Sequence, residues 1–385
     1  MHQEADIIFV GGGTAACVAA GRLAASNPGL EILVVEQGSD NFKDPSVTTP
    51  ALYLTHADPE SKNTIHWKGT KSDAANGRET GTTSGGILGG GSSINFMMYA
   101  QPAASYLIQT ILPKLPKSTW VYALLWGFPQ QTILWIFRLG MALGDAGSKI
   151  RPTPDELKEL GPAFNQYWKE RFESAPDKPA VIQVIFNGFF GPPFLVPEGL
   201  RLILCTNFLG YPMSRGHVCI SSADPYAPPN FRSGLIEEQA DVEFDSSVDH
   251  FLREVVRRMP SYRGEPASLH PKFPEGSVAG CVRLDEPPSK EQDNLVYTPE
   301  DDKVLEDFIR QSAEATPHSV GTVRMAPKAK GGCVDDRLNT TNVLTKSTDL
   351  SILPGSIGAN SYSTALMMGE KAAILIAEDL RLNLP

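Results

Sequence analysis

Asp6-Ile7-Ile8-Phe9-Val10-Gly11-Gly12-Gly13-Thr14-Ala15-Ala16 carries an apolar strand straight into three glycines and then into an Ala-rich helical pattern. Strand, glycines and helix in that order are what a dinucleotide pocket requires. Gly11 permits the tight strand-to-helix turn, Gly13 removes a side chain that would hold the backbone off a pyrophosphate, and Ala16 lets the helix pack closely on its strand. The first turn of the helix then offers free amides to the phosphates.

Outward from this stretch, Glu31-Ile32-Leu33-Val34-Val35-Glu36 reads as the second strand of a βαβ unit and ends on an acid 25 positions after Gly11. A carboxylate there accepts hydrogen bonds from adenosine ribose hydroxyls and repels a 2′-phosphate. A second cluster, Gly85-Gly86-Ile87-Leu88-Gly89-Gly90-Gly91, lets backbone amides approach a ligand closely, and Ser92-Ser93-Ile94-Asn95 is expected to start a helix beneath it. Taken alone, that cluster reads equally well as a flexible loop.

The third feature is a polar pair set among small residues. His318 stands in Thr316-Pro317-His318-Ser319-Val320-Gly321-Thr322, and Asn360 follows 42 positions later in Gly358-Ala359-Asn360-Ser361-Tyr362. An imidazole titrating near neutrality can take the hydroxyl proton of an alcohol while an amide holds the same oxygen, which lines up a C–H bond for hydride transfer. A lone histidine is more often structural, so the pair needs its context.

Composition sets the outer limits. The 385 residues can hold two domains, and the formal net charge of −10 argues against nucleic acid or an anionic membrane as partner. Cys17, Cys205, Cys219, Cys281 and Cys333 are scattered without metal-ligand spacing, so no metal is expected and a reduced compartment is. No basic-then-apolar leader precedes the first strand and the chain does not end in Ser-Lys-Leu, which makes the cytoplasm the expected location.

The chain divides unevenly. Residues 1–100 are Gly-rich and suit a nucleotide-binding scaffold; residues 101–145 turn apolar and Trp-rich. Neither half of that second segment reaches the roughly 20 apolar residues of a spanning helix, so a covered helical hairpin is expected rather than a membrane anchor. Residues 146–297 show strand-like stretches at Ala180–Phe186, Leu200–Thr206 and His217–Ser221 and an amphipathic helix over Val248–Met259, as in a sheet-containing substrate domain. Residues 298–385 open on Thr298-Pro299-Glu300-Asp301-Asp302, a helix start with a threonine cap, proline in the first turn and acids at the positive end of the dipole.

Asp6 to Gly38, Leu88 to Tyr99, and the tail with His318-Ser319-Val320-Gly321-Thr322, Asp349-Leu350-Ser351 and Gly358-Ala359-Asn360 resemble, in this order, the glucose-methanol-choline oxidoreductases. These are flavoenzymes that oxidise alcohols with FAD, and the likeness is to their fungal alcohol oxidase branch. The resemblance covers roughly residues 5–100 and 145–380. It implies an α/β fold, α+β overall, with a Rossmann-like FAD-binding domain discontinuous in sequence and a separate substrate domain.

Carried over position by position, the resemblance makes Gly11, Gly13, Thr14, Ala15 and Glu36 contacts of the ADP half of FAD. It places Gly89, Gly90, Ser93, Asn95, Phe96 and Met97 beside the flavin and pyrophosphate, and Asp349, Leu350 and Ala359 along the ribityl and phosphate region. His318 is then the base and Asn360 its partner on the oxygen of a small-molecule alcohol. Dioxygen or another acceptor reoxidises the flavin, and a homo-oligomer is left open. After Tyr99, however, the Trp-rich stretch stands where the family completes its FAD domain. A shortened relative without turnover, acting as a binding or interaction protein, is therefore the second reading.

Overall fold

The computed structural model describes residues 4–99, 146–160, 162–186, 202–224, 226–280, 283–286, 289, 291–341, 343 and 345–384. The Trp-rich stretch expected to form a hairpin lies outside them. Strand β1 (Ile7–Val10) leads through the glycines into helix α1 (Thr14–Ser26), which returns to β2 (Ile32–Val35). The two strands pair in parallel, Ile7 opposite Ile32 through Val10 opposite Val35, so the expected βαβ unit is present.

α1 is rich in alanine for a packing reason. Ala15, Ala19, Ala20 and Leu23 are buried in a core that also takes Phe9 of β1 and, from the far end of the chain, Met368, Ala372 and Ala373. These last belong to a second long helix, α5 (Tyr362–Leu380). A Cβ on Gly369 would lie 2.6 Å from the Ala15 carbonyl oxygen and from the Val18 side chain, so the two helices touch backbone to backbone there. Asn27 just past α1 donates to the Asn383 carbonyl just past α5, at 2.9 Å. The helices therefore run parallel, with both N-termini at one end of the molecule.

One face of the β1–β2 pair is covered by this core; among the described residues, the other carries exposed side chains. Ile8, Val10, Leu33 and Val35 are 58%, 89%, 38% and 49% exposed. Strict alternation along the two strands puts all four side chains on the same side. Each large aliphatic side chain left in water forgoes about 1.5–3 kcal/mol of burial.

An antiparallel hairpin follows, β3 (Thr64–Ser72) and β4 (Arg78–Gly85), with a register shift between Lys68 and Lys71. The sequence does not announce it, because β4 carries no apolar residue and buries Thr80 instead. The rest of the chain builds a three-stranded antiparallel sheet, β5 (Ala146–Ile150), β6 (Val181–Phe186) and β7 (Leu204–Leu209) in spatial order 5-6-7. Helix α2 (Pro162–Arg171) packs Phe164, Tyr167 and Trp168 with Phe172, Tyr211, Phe244 and Val248 into a second core. A short pair, β8 (His217–Cys219) and β9 (Asn230–Arg232), lies beyond it.

The expected helix over Val248–Met259 is the second half of a longer one, α3 (Gln239–Arg257). Its first turns escape an apolar-pattern reading because buried Asp241 uses both carboxylate oxygens to accept the Met213 and Ser214 amides, at 2.7 Å each. The Thr298 start is as expected: α4 (Pro299–Ser312) opens on a capping box in which the Thr298 hydroxyl accepts the Asp301 amide and Asp301 accepts the Thr298 amide. After Ser92 the expected helix is absent. Only a single 3₁₀ turn, Gly90–Ser92, forms. The Ser92 and Ser93 hydroxyls donate back to the Gly89 and Leu88 carbonyls at 2.6 Å each, offering the backbone an alternative to helix. Among the described residues, no helix is long and apolar enough to cross a membrane.

Candidate active site

The strand-to-helix turn is built as the glycines require. Gly11 sits at φ +98°, a conformation few side chains tolerate, and its amide donates to the Val35 carbonyl at 2.7 Å. A Cβ at Gly11 or Gly13 would meet no atom within 4 Å, so both face open space. Gly12 is the opposite case, since a Cβ there would lie 2.5 Å from Leu88 Cδ1. No side chain caps α1 behind Gly13, which leaves its first amides free for an anion. An open cradle with uncapped amides fits a dinucleotide pyrophosphate.

Glu36 does more than the sequence indicates. Its Oε2 accepts the Gly12 amide at 2.6 Å and its Oε1 the Gly38 amide at 2.7 Å, so the carboxylate clamps the glycine turn to the end of β2. Each oxygen keeps a second lone pair, enough for a ribose hydroxyl. A Cβ on Gly38 would lie 2.3 Å from the Gly86 backbone, which brings the chain after β2 against the second glycine cluster.

That cluster meets the first directly. The Gly89 amide donates to the Gly12 carbonyl at 2.7 Å, Gly13 and Gly89 form a parallel bridge, and the Thr14 hydroxyl donates to the Gly89 carbonyl at 3.1 Å. Gly89 and Gly90 sit at φ +88° and +55°, and a Cβ on Gly90 would come 3.1 Å from Gly13 Cα. The buried Ser93 hydroxyl donates to Leu88 and accepts from Asn41 Nδ2 at 3.0 Å, while Asn41 also donates to the Leu88 carbonyl at 2.8 Å. Gly12, Gly38 and Asn41 are thus structural members of the cradle that a motif reading passes over. Asn41 had one signal, a short amide five residues beyond the acid.

The remaining expected contacts are placed unevenly. Ala15, Leu350 and Ala359 pack into or against the α1–α5 core, so their side chains face away from the cradle and only their backbones can reach a ligand. Asn95 is half-buried, Phe96 stands edge-on to Tyr53 with ring centres 5.2 Å apart, and Met97 takes a left-handed φ of +58°. Tyr99 then reaches the first residue of α5, its ring 6.2 Å from that of Tyr362. Asp349 is exposed and accepts the Ser351 amide at 2.9 Å, capping the turn Leu350–Ile352, which hydrogen-bonds alongside Gly321, Val323 and Met325.

His318 and Asn360 are brought together. Asn360 Nδ2 lies 3.3 Å from His318 Nε2, and because an amide nitrogen only donates, the imidazole presents its lone pair to Asn360. Asn360 is buried, two residues ahead of α5, and the ring of Phe208 on β7 sits 6.0 Å from the imidazole. Burial alone pushes the His318 pKa down to about 4, which keeps the ring neutral at ordinary pH. Pro317 has a local role here. The His318 amide donates to the Thr316 carbonyl at 2.6 Å, a three-residue turn whose central φ proline pre-sets. Among the described residues, no group of His, Cys, Asp and Glu is disposed to hold a metal ion.

Alcohol oxidase from Candida boidinii is 37% identical to this chain over 282 residues, covering 61% of this chain and 42% of that protein. Alcohol oxidase 1 of Komagataella phaffii is 35% identical over 281 residues with the same coverage. The match thus spans less than half the length of these curated relatives. An Aspergillus oryzae formate oxidase structure, a mutant made to examine FAD modification, superposes with a TM-score of 0.69 at 14% identity, covering 98% of both chains. Sequence models of the GMC oxidoreductases match residues 5–108 and 212–369, the stretches that hold the glycine cradle and the histidine–asparagine pair. The chain belongs to the GMC oxidoreductase family.

Proposed function

We propose that this protein binds FAD and oxidises a primary alcohol to an aldehyde, with His318 as the base and Asn360 as the group that holds the alcohol oxygen. The observation that carries the reading is the 3.3 Å approach of Asn360 Nδ2 to His318 Nε2, made from residues 42 positions apart. The pair stands at the end of the molecule where α1 and α5 begin.

FAD in the cradle supplies a hydride acceptor. Gly13 and the uncapped first turn of α1 hold the pyrophosphate, and Glu36 accepts from the ribose. The alcohol would replace the Asn360–His318 hydrogen bond, which occupies the single acceptor lone pair of Nε2: Asn360 Nδ2 then donates to the alcohol oxygen and orients it, and His318 Nε2 takes the hydroxyl proton as the carbon-bound hydrogen leaves with its electron pair. The imidazole stays neutral, and so able to accept that proton, well below neutral pH. The start of α5, which no side chain caps, favours negative charge at its N-terminal end. Dioxygen is the proposed final acceptor, which returns hydrogen peroxide.

Anaerobic addition of a panel of primary alcohols to the FAD-loaded protein tests this. Bleaching of the flavin absorption with one aldehyde formed per flavin is the expected result, and bands that persist against the whole panel would remove the oxidase reading. The bare face of Ile8, Val10, Leu33 and Val35 favours a second reading, a shortened relative that works as an interaction protein.

A further inference from the structure

The loop that carries Asn360 is held down by one side chain from the opposite core. Tyr211, buried among the α2 and α3 aromatics just past β7, donates its hydroxyl to the Ile357 carbonyl at 3.0 Å across 146 residues of sequence. Its ring occupies the place a side chain would take at Gly358, where a Cβ would lie 2.5 Å from Tyr211 Cε2. Gly358 turns there at φ +59°, and its amide donates to the Gly210 carbonyl at 3.2 Å. The chain then passes through buried Ala359 to Asn360.

Tyr211 is itself fixed on every side. The Tyr167 hydroxyl donates to its carbonyl at 2.7 Å, Phe172 packs edge-on with ring centres 5.7 Å apart, and Lys178 Nζ lies 4.0 Å over the ring. Phe208, three residues earlier on β7, is the residue whose ring faces His318. One strand end therefore supports both members of the pair, His318 through Phe208 and Asn360 through Gly210 and Tyr211.

We infer that Tyr211 is a positioning residue for the His318–Asn360 pair: its hydroxyl, by holding the Ile357 carbonyl, sets the Asn360 amide against the imidazole. This rests on the reading of these two residues as the reacting pair. Tyr211 acts on them through the Ile357–Asn360 loop.

The test is Tyr211→Phe in the full chain, which keeps the ring and removes the hydroxyl. The His318 titration, followed by NMR of ¹³C-labelled histidine and assigned by its loss in His318→Gln, gives a readout independent of turnover. A released loop admits water and withdraws the Asn360 donor, so the His318 midpoint is expected to rise from about 4 toward the ordinary value near 6.5. Gly358→Ala, which keeps the hydroxyl but forces the same loop off the ring, is expected to shift it in the same direction. Flavin reduction by alcohol should fall on the order of tenfold in Tyr211→Phe, with no further loss when Tyr211→Phe is added to Asn360→Ala. An unmoved His318 midpoint in both variants, or additive losses in the double variant, overturns the inference. A shifted midpoint in a protein that no alcohol reduces would uphold the positioning role and refute the oxidase reading instead.

Discussion

The glycine cradle and the His318–Asn360 pair lie toward the same end of the molecule, yet they are made differently. The cradle is chiefly backbone on backbone: Gly89 on Gly12, Gly90 against Gly13, Gly38 against Gly86, with the side chains of Glu36, Thr14, Asn41 and Ser93 tying the turns together. The pair is side chain on side chain, positioned by Phe208 and Tyr211 from a sheet in the other half of the fold. Close backbone approach leaves glycines in the sequence, whereas side-chain support from a distance leaves no local mark. The cradle can therefore survive changes elsewhere that would uncouple the pair.

The largest expected effect separates the two directly. His318→Ala should lower flavin reduction by alcohol about 10²–10⁴-fold, the usual contribution of a positioned base, while FAD content stays at the wild-type level. Stopped-flow absorbance of the anaerobic protein reads the rate, and a reduction rate equal to wild type would take His318 out of the chemistry.

Glu36→Ala acts on the other side. It removes the acceptor of the Gly12 and Gly38 amides as well as that for the ribose, and FAD binding should weaken by roughly 1.5–3 kcal/mol, the range for hydrogen bonds to charged groups. Titration calorimetry with FAD measures this, and an unchanged Kd would mean the carboxylate serves neither role.

A smaller effect lies behind the sheet that supports the pair. Asp245 on α3 accepts from Asn207 Nδ2 at 3.0 Å, next to Phe208 in β7. Burial, with Asp249 and Asp241 one turn to either side, pushes its carboxyl up to about 7, against the pull of Asn207; burial likewise raises Asp249 to about 6, opposed by Arg253 and His270, with Glu265 pushing upward. A carboxyl raised in the folded state holds protons that the unfolded chain, titrating near 3.9, has released. Its contribution to stability is full below about pH 4 and is lost as pH rises through about 7. Asp245→Asn keeps an acceptor for Asn207 and should raise stability at pH 8 by about 2 kcal/mol, with little gain at pH 4.5. Equal gains in urea melts at the two pH values would contradict the assignment of a buried, protonated Asp245.

The same contrast explains what could be read from the chain. β1, α1, β2 and the acid at Glu36 were legible because the turn at φ +98° admits few alternatives to glycine and the strand–glycine–helix order is local. The Thr298–Asp301 capping box was legible because both partners lie within four residues. The start of α3 was hidden by a buried Asp241 that looks like a surface acid, and the turn after Gly90 by serine hydroxyls that spend themselves on local carbonyls. Tyr211 could not be found at all, since its partner lies 146 residues away and one sequence holds no record of that contact. His318 and Asn360 stood out as a polar pair among small residues, and the family pattern supplied the context that gave them roles.

The bare outer face of β1 and β2 makes FAD retention the decisive question. Ile8, Val10, Leu33 and Val35 are wholly or partly exposed on the outer face of the strands that carry the cradle. The most direct measurement is the visible spectrum of the full-length protein after incubation with FAD and gel filtration. Flavin bands that co-elute with the protein at close to one per chain are the predicted result; a colourless protein peak, with all FAD in the small-molecule fraction, would contradict the account.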